Sequence, residues 1–261
     1  MEISKVDGLE HLGLIGTSEV LKDTIERIEI SKRQNSRTLI ISEAGFSRDE
    51  LAKFILKGKD FITIDGHDYF ESKHMLKFDT DFCGGQTLDK PLLSRNHPDF
   101  DSHQFLKSNI HIRYIDLLNI GTQYDLKHML DHDKSYRLKI VATALRGIER
   151  DVEKSKFCPG LYYNFPLKIE IPRLKDRLDD LEVIAPTLLK TVDEGRFKER
   201  QFSKAGIDAL KTYDWPGNMF ELESVIKYCA YLSDPSKEIS VKMIEKEIEG
   251  KFREKHLEYS I

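Results

Sequence analysis

Hydrophobic and polar positions alternate in a regular way along the first two thirds of the chain. Short runs rich in Ile, Leu and Val, typical of buried strands, occur at 37–42, 60–66, 109–115, 136–144 and 167–171. Between them, apolar residues recur at helical spacing in 19–34, 48–57 and 121–133. Because strands that alternate with helices are typical of a parallel sheet flanked by helices, the pattern predicts an α/β domain.

The last third of the chain carries a different pattern. From Pro172 onward the strand signals stop, and helical spacing appears in 179–195, 203–215, 217–234 and 240–252. We therefore predict an α/β domain over residues 1–171 and a small all-helical domain over residues 172–261. Turn-forming residues break any period within 78–109, so we expect an insertion or a surface loop there.

Local packing in the helical domain can also be predicted. In the segment "DWPGN", Asp214 is a candidate helix cap, and Gly217-Asn218 suits a tight backbone turn. The helix that follows should turn its apolar residues inward, and the tyrosine pair before the last strand should pack rather than act chemically. These residues are Leu222, Val225, Ile226 and Tyr228 in the helix, and Tyr162 and Tyr163 before the strand.

Composition narrows the class of protein. With 261 residues, 39% hydrophobic and 33% charged, the chain can bury a substantial core, and no apolar run approaches the roughly 20 residues of a membrane helix. The three cysteines are far apart, which fits reduced thiols in the cytoplasm. A formal charge of −4 gives no sign of the basic surface with which proteins commonly bind DNA. We expect a cytoplasmic protein without direct DNA or membrane binding.

The stretch "TLIISEAGFSRDELAKFIL", Thr38 to Leu56, has the outline of a strand, a phosphate-binding loop and a helix. It contains one glycine, Gly45, and it carries Ser47-Arg48 where such a loop would have Gly-Lys. A working loop needs glycines so that backbone N–H groups can curl around the phosphates, and a lysine to reach them. The loop is therefore incomplete.

Several segments resemble, in their order and in their amino-acid sequence, the central AAA+ domain of sigma-54-dependent transcription activators, the bacterial enhancer-binding proteins. The segments are "LIGTSEVLKDTIERI", "FITIDG", "FCPGLYYNFPLKIEIPRLKDRLDDL" and "YDWPGNMFELESVIKYCAYLSD". The resemblance covers nearly the whole chain. It implies a P-loop NTPase-like AAA+ fold, with a parallel sheet flanked by helices and followed by a helical lid.

The resemblance weakens where it should support chemistry. The family's "GESGTGKE" falls on residues 42–49, so Gly45, Ser47, Arg48 and Asp49 would form at most a vestigial nucleotide site. Arginine keeps the charge of lysine but is longer and planar. The other catalytic positions of the family fall on Arg113 (magnesium aspartate), Tyr114 (water-activating glutamate), Leu145 (sensor), Cys158 and Asn164 (arginine fingers) and Phe220 (lid arginine).

These substitutions predict a degenerate member that does not hydrolyse ATP, a pseudoATPase that acts through protein contact, with transcription regulation as one such role. The sigma-contacting "GAFTGA" is missing near residues 89–94, and we expect a lone AAA+ module without further domains. The partner would be a related AAA+ protein or the transcription machinery. Because Cys158 and Asn164 offer no arginine link between subunits, we expect a monomer or small oligomer when the protein is alone.

Two alternatives remain open from the sequence. One is a switch that binds ATP or ADP without efficient hydrolysis, through Gly45, Arg48 and the segment Leu14–Ser18. The other is an enzyme of another kind, with a nucleophile or metal ligand drawn from the cysteines and histidines. His128 and His132 have metal-binding spacing on a helix, although solvent exposure explains the pair equally well. Cys83, His97 and His103 lie in the irregular segment without metal-finger spacing, and Cys158 is a further candidate nucleophile. No resident metal is expected.

Overall fold

The structure, a computed structural model, describes residues 3–57, 61–69, 109–132, 139–192, 201–233 and 238–258. Within them, the side chains of residues 62, 68, 69, 132, 192 and 251–258 are not described. The predicted surface loop at 78–109, apart from Asn109, and the 89–94 segment lie outside the described residues.

The strands and helices follow the hydrophobic pattern closely. The strands are β1 (Ser4–Lys5), β2 (Ile15–Gly16), β3 (Arg37–Ser42), β4 (Phe61–Asp65), β5 (Asn109–Arg113), β6 (Ile140–Leu145) and β7 (Leu167–Glu170). The α-helices are α1 (Glu19–Arg33), α2 (Arg48–Leu56), α3 (Ile120–His132), α4 (Ile148–Glu153), α5 (Pro159–Tyr163), α6 (Leu181–Val192), α7 (Lys204–Leu210), α8 (Asn218–Leu232) and α9 (Val241–Glu258).

The main sheet has the strand order β4-β5-β6-β3-β7, and its strands pair in parallel. All six residues of β3 are buried, because β6 and β7 pair on either side of it and helices cover the sheet. Parallel strands end at the same edge of a sheet, so the residues that follow them gather there. The parallel sheet and the helices that follow it confirm the predicted fold class.

The chain divides into two compact units. One, the sheet unit, contains residues 26–43 and 47–171, and therefore the main sheet. The other, the helical unit, contains residues 1–25, 44–46 and 172–261, so it includes part of the phosphate-loop segment. The division into continuous domains 1–171 and 172–261 stays a prediction.

Apolar packing and the buried carboxylate of Asp180 stabilise the helical unit. Trp215 is fully buried, and its indole Nε1 donates to the carbonyl of Leu210 at 2.8 Å. Asp180, also buried, accepts hydrogen bonds from the backbone N–H groups of Thr17 and Ser18 at 2.7 and 2.9 Å, and from the Ser18 hydroxyl at 2.6 Å. These groups precede α1, so Asp180 satisfies donors that would otherwise be orphaned at the start of that helix.

Three local predictions are each wrong at one residue. Gly217, rather than Asp214, precedes α8, and no side chain caps the helix there. Tyr228 does not turn inward, because it is 43% exposed while Leu222, Val225 and Ile226 are buried as predicted. Tyr162 packs against the core of the sheet unit, but Tyr163 is 72% exposed. A helical period shows that one face is apolar, but it does not fix where the buried face ends.

Candidate functional site

The candidate site lies in the sheet unit, where strands β3, β4, β5 and β6 end. Pairing places Asp65 beside Arg113 on β4 and β5, and Ser42 beside Leu145 on β3 and β6. Helix α2 starts six residues after the end of β3, at Arg48, directly after the loop. The sheet thus brings together residues that the sequence separates by long intervals.

Arg48, at the position of the phosphate-loop lysine, turns back toward the sheet. Its side chain is only 8% exposed, and Nη1 donates to the backbone carbonyls of Ser42 and Ala144 at 3.3 and 3.1 Å. Its guanidinium carbon lies 5.6 Å from the centre of the Tyr114 ring, within the range of a cation–π contact. The guanidinium of Arg48 therefore interacts with groups of the protein itself.

Arg113, at the position of the magnesium aspartate, bridges two carboxylates. Its Nε donates to Oδ2 of Asp49 at 2.8 Å, and its Nη1 lies 2.7 Å from Oδ2 of Asp65. Its guanidinium also lies 5.3 Å from the centre of the Tyr114 ring. The side chain is about one third exposed and the two carboxylates less, so the cluster is partly buried.

This cluster shifts the pKa of its members in opposite directions. Burial by itself would raise the pKa of Asp49, but His111 and Arg113 outweigh that effect and lower it. Burial opposes the charge of Arg113 too, while Asp49 and Asp65 raise its pKa. Asp49 and Arg113 are therefore both charged across the ordinary pH range.

His111 and Asp65 belong to the site, although no motif in the sequence points to them. His111 is fully buried on β5, and its Nε2 lies 3.6 Å from Oδ1 of Asp49, longer than a hydrogen bond. Its ring also contacts Phe61 edge to face, with centroids 6.2 Å apart. Asp65 ends the strand beside β5, and that adjacency could have been read only once the strand order was known.

Tyr114 occupies the position of the water-activating glutamate. Its backbone has a left-handed φ of 49°, and its N–H donates to the Thr143 hydroxyl at 3.1 Å. The ring contacts both guanidiniums, as described above. A tyrosine has no carboxylate with which to activate water, so Tyr114 does not replace the glutamate as a general base.

Three further aligned positions, Leu145, Cys158 and Asn164, belong to the sheet unit. Cys158 is buried in the apolar core of the sheet unit. Asn164 accepts from Arg37 and donates to Oδ1 of Asp131 at 3.0 Å and to the carbonyl of Gly160 at 2.9 Å. The sensor position, Leu145, has an exposed side chain, and its N–H donates to Asp116.

Gly45 lies in the helical unit, where a neighbouring backbone carbonyl leaves no room for a side chain. Its φ is 86°, and a Cβ on it would come within 1.9 Å of the carbonyl oxygen of Gly217. The Gly45 carbonyl accepts from the N–H of Phe220 at 3.1 Å, and Asn218 Nδ2 donates to the carbonyl of Ala44 at 2.9 Å. The loop backbone therefore hydrogen-bonds to the start of α8. Ser47 precedes α2 without a side-chain capping bond.

No group of three potential metal ligands occurs among the residues that the structure describes. His128 is exposed on α3, and the side chain of His132 lies outside the described residues, as do Cys83, His97 and His103. Within the same residues, no helix is both long enough and apolar enough to cross a membrane.

Comparison with known proteins supports the family resemblance. Residues 175–259 match the AAA+ ATPase lid domain family. A Nif-specific regulatory protein of Enterobacter agglomerans is 33% identical over 98 residues, which cover 37% of this chain and 19% of that protein. A second Nif-specific regulatory protein, from Bradyrhizobium diazoefficiens, is 23% identical over 239 residues, covering 86% of this chain and 40% of that protein.

The fold has a similar solved structure. NtrX from Brucella abortus in complex with ADP aligns with a TM-score of 0.67 and 17% identity, over 93% of this chain and 56% of that one. The matched region spans about a fifth to two fifths of the curated relatives. These matches confirm the AAA+ fold with its lid and the resemblance to the sigma-54 activator class.

Proposed function

We propose that the chain is a non-catalytic AAA+ module, a pseudoATPase that acts through protein contact. The observation that carries the proposal is the position of Arg113, whose guanidinium lies between Asp49 and Asp65. At this edge of the sheet, the family resemblance would place an aspartate that serves Mg²⁺. The guanidinium of Arg113, paired with two carboxylates, stands there instead.

Arg113 makes the site unfit for a magnesium ion. Mg²⁺ needs oxygen ligands in near-octahedral geometry, whereas arginine has no lone pair to offer and repels the ion. The nearby carboxylates are already engaged, in ion pairs of 2.8 and 2.7 Å. Charge-assisted bonds contribute on the order of 1.5–3 kcal/mol each when buried, and less here because the cluster is partly exposed. A metal would have to displace them.

Arg48 adds a second obstacle. To reach a phosphate it would have to leave its hydrogen bonds to the carbonyls of Ser42 and Ala144. Those carbonyls would then lose a charged donor in a buried place, which is unfavourable. We therefore infer that the loop retains a vestigial nucleotide site at most.

If the chain does not hydrolyse ATP, the role that remains for this fold is to bind another protein. The curated relatives with matching segments are named as regulatory proteins. We infer that this module contributes to transcription regulation by binding a related AAA+ protein or a component of the transcription machinery.

An assay of phosphate release tests the loss of catalysis. We expect the purified protein to release phosphate from ATP with Mg²⁺ no faster than Arg48→Ala or Arg113→Ala does. Arg33→Ala, a change at the exposed end of α1, is the matched control. Activity above background that Arg48→Ala abolishes and Arg33→Ala preserves would overturn the proposal.

The second candidate is a switch that binds ATP or ADP without efficient hydrolysis. It is favoured by Gly45, which keeps a left-handed backbone in the loop, and by the similar fold of NtrX solved with ADP. Against it, the Thr17 and Ser18 amides in the segment Leu14–Ser18 are bonded to Asp180. Calorimetry and thermal shift with ADP at millimolar concentration decide: no heat and no shift remove the switch, and a clear shift revives it.

A further inference from the structure

Helix α8 has an aromatic face that is not part of the core. A shallow open groove runs along it, lined by Phe220, Glu223, Ser224, Lys227, Tyr228 and Tyr231. Phe220 is 55% exposed and Tyr231 78%. The opposite face of the same helix is buried. Large apolar side chains gathered on one exposed face are typical of an interaction surface.

The groove residues form two adjacent rows along the helix. Phe220, Ser224 and Tyr228 are spaced by four residues and make one row, in which a small residue separates two rings. Glu223, Lys227 and Tyr231 make the second row, also spaced by four. Residues three and four apart are neighbours on a helix surface, so the two rows form one continuous stripe.

We propose that this stripe is the interface of a two-fold dimer, in which α8 pairs antiparallel with α8 of a second copy of this chain. A two-fold axis near Ser224 would set Phe220 against Tyr228 of the second copy, and the small serines would let the helices approach. The same axis would bring Glu223 near Lys227 of the second copy. Each pair would occur twice, as an isologous interface requires.

Charge is the reason to prefer a second copy as the occupant. Glu223 and Lys227 carry opposite charges one helical turn apart and form an intrahelical pair at 2.6 Å. An antiparallel copy presents the same two charges in reverse order, so both can gain a partner across the axis. An acidic or basic foreign helix would instead meet a like charge at one of the two positions.

The expected dimer is weak. A single pair of helices buries less than the roughly 1,200–2,000 Å² of a stable specific interface. Association should therefore depend on concentration, and it should not depend on nucleotide. The inference concerns the helical unit alone and stands or falls independently of the proposed loss of hydrolysis.

Charge reversal tests the arrangement in sedimentation velocity runs from low micromolar to near-millimolar concentration. We expect the wild type to shift toward a dimer with concentration. Glu223→Lys and Lys227→Glu should each weaken the dimer about tenfold, because like charges then face each other across the axis. An equimolar mixture of the two variants, and the double variant E223K/K227E, should associate as the wild type does.

Two controls keep the test decisive. Glu245→Lys reverses an exposed charge on α9 and should leave association unchanged. Thermal melts should show that the charge variants are folded, as both side chains are partly exposed. A wild type that stays monomeric throughout would overturn the proposal. So would single variants that associate like the wild type, or a mixture that stays as weak as its components.

Discussion

The Nε atom of Arg113 lies 2.8 Å from Oδ2 of Asp49, and this contact joins the end of β5 to the first turn of α2. With the second contact, to Asp65, it makes the arginine a link between α2, β4 and β5. The residue that most clearly departs from the family pattern is therefore integrated into the fold.

Arg113→Ala should destabilise the protein by about 2 kcal/mol, because two partly buried carboxylates would face each other without a counter-ion. Urea unfolding followed by far-ultraviolet circular dichroism, which reports the helices and strands of both units, measures the change. Lys22→Ala, which removes an exposed pair with Glu19, is the matched control and should cost about 0.5 kcal/mol or less. Equal effects of the two substitutions would contradict a structural role for Arg113.

The lowered pKa of Asp49 predicts that the free energy of unfolding depends on pH in the acid range. Its pKa is lowered in the folded state, so its contribution is fully present above the unfolded value of about 3.9 and is lost as the pH falls further. The free energy of unfolding should therefore fall less steeply below about pH 4 in Asp49→Asn than in the wild type. Identical acid slopes in urea titrations would show that Asp49 is not the group responsible.

Asp180 should be among the most sensitive positions in the helical unit. Asp180→Ala removes an acceptor from two backbone N–H groups and the Ser18 hydroxyl, and leaves Arg177 buried without the carboxylate 3.9 Å away. We expect a loss of about 3–5 kcal/mol in chemical denaturation. The adjacent Asp179→Ala is the control, since Asp179 is exposed and pairs with Lys211 at 3.4 Å, and it should change stability by less than about 1 kcal/mol. Comparable losses at both positions would refute this explanation.

Gly45→Ala should be more harmful than Gly147→Ala. Both glycines have a left-handed φ, which costs alanine about 1–2 kcal/mol. At Gly45 the new Cβ would also press against the carbonyl of Gly217, whereas nothing lies within 4 Å of a Cβ at Gly147. Thermal and urea unfolding of the two variants compare these costs directly. If Gly147→Ala were the less stable variant, the close approach at Gly45 would not be a constraint.

Much of the fold could be predicted because buried strands and helices have recognisable patterns of apolar residues in the sequence. The run "RTLIIS" predicted a buried strand, and β3 covers those six residues. The four helical segments after Pro172 were likewise predicted from spacing alone. Arg48 and Arg113 also stand out in the sequence as departures from the family pattern, since the identity of a residue at an aligned motif does not depend on the tertiary structure.

The sequence by itself determined which residues stand at the site and which segments form strands and helices, because side-chain identity and apolar period are local properties. Only the tertiary structure decided what those residues contact. Asp65 became the partner of Arg113 because β4 pairs with β5, and Tyr228 remained exposed because burial on α8 depends on what packs against each face. Ion pairs and burial are set by strand register and helix packing between segments distant in the chain, and no periodicity within a segment records them.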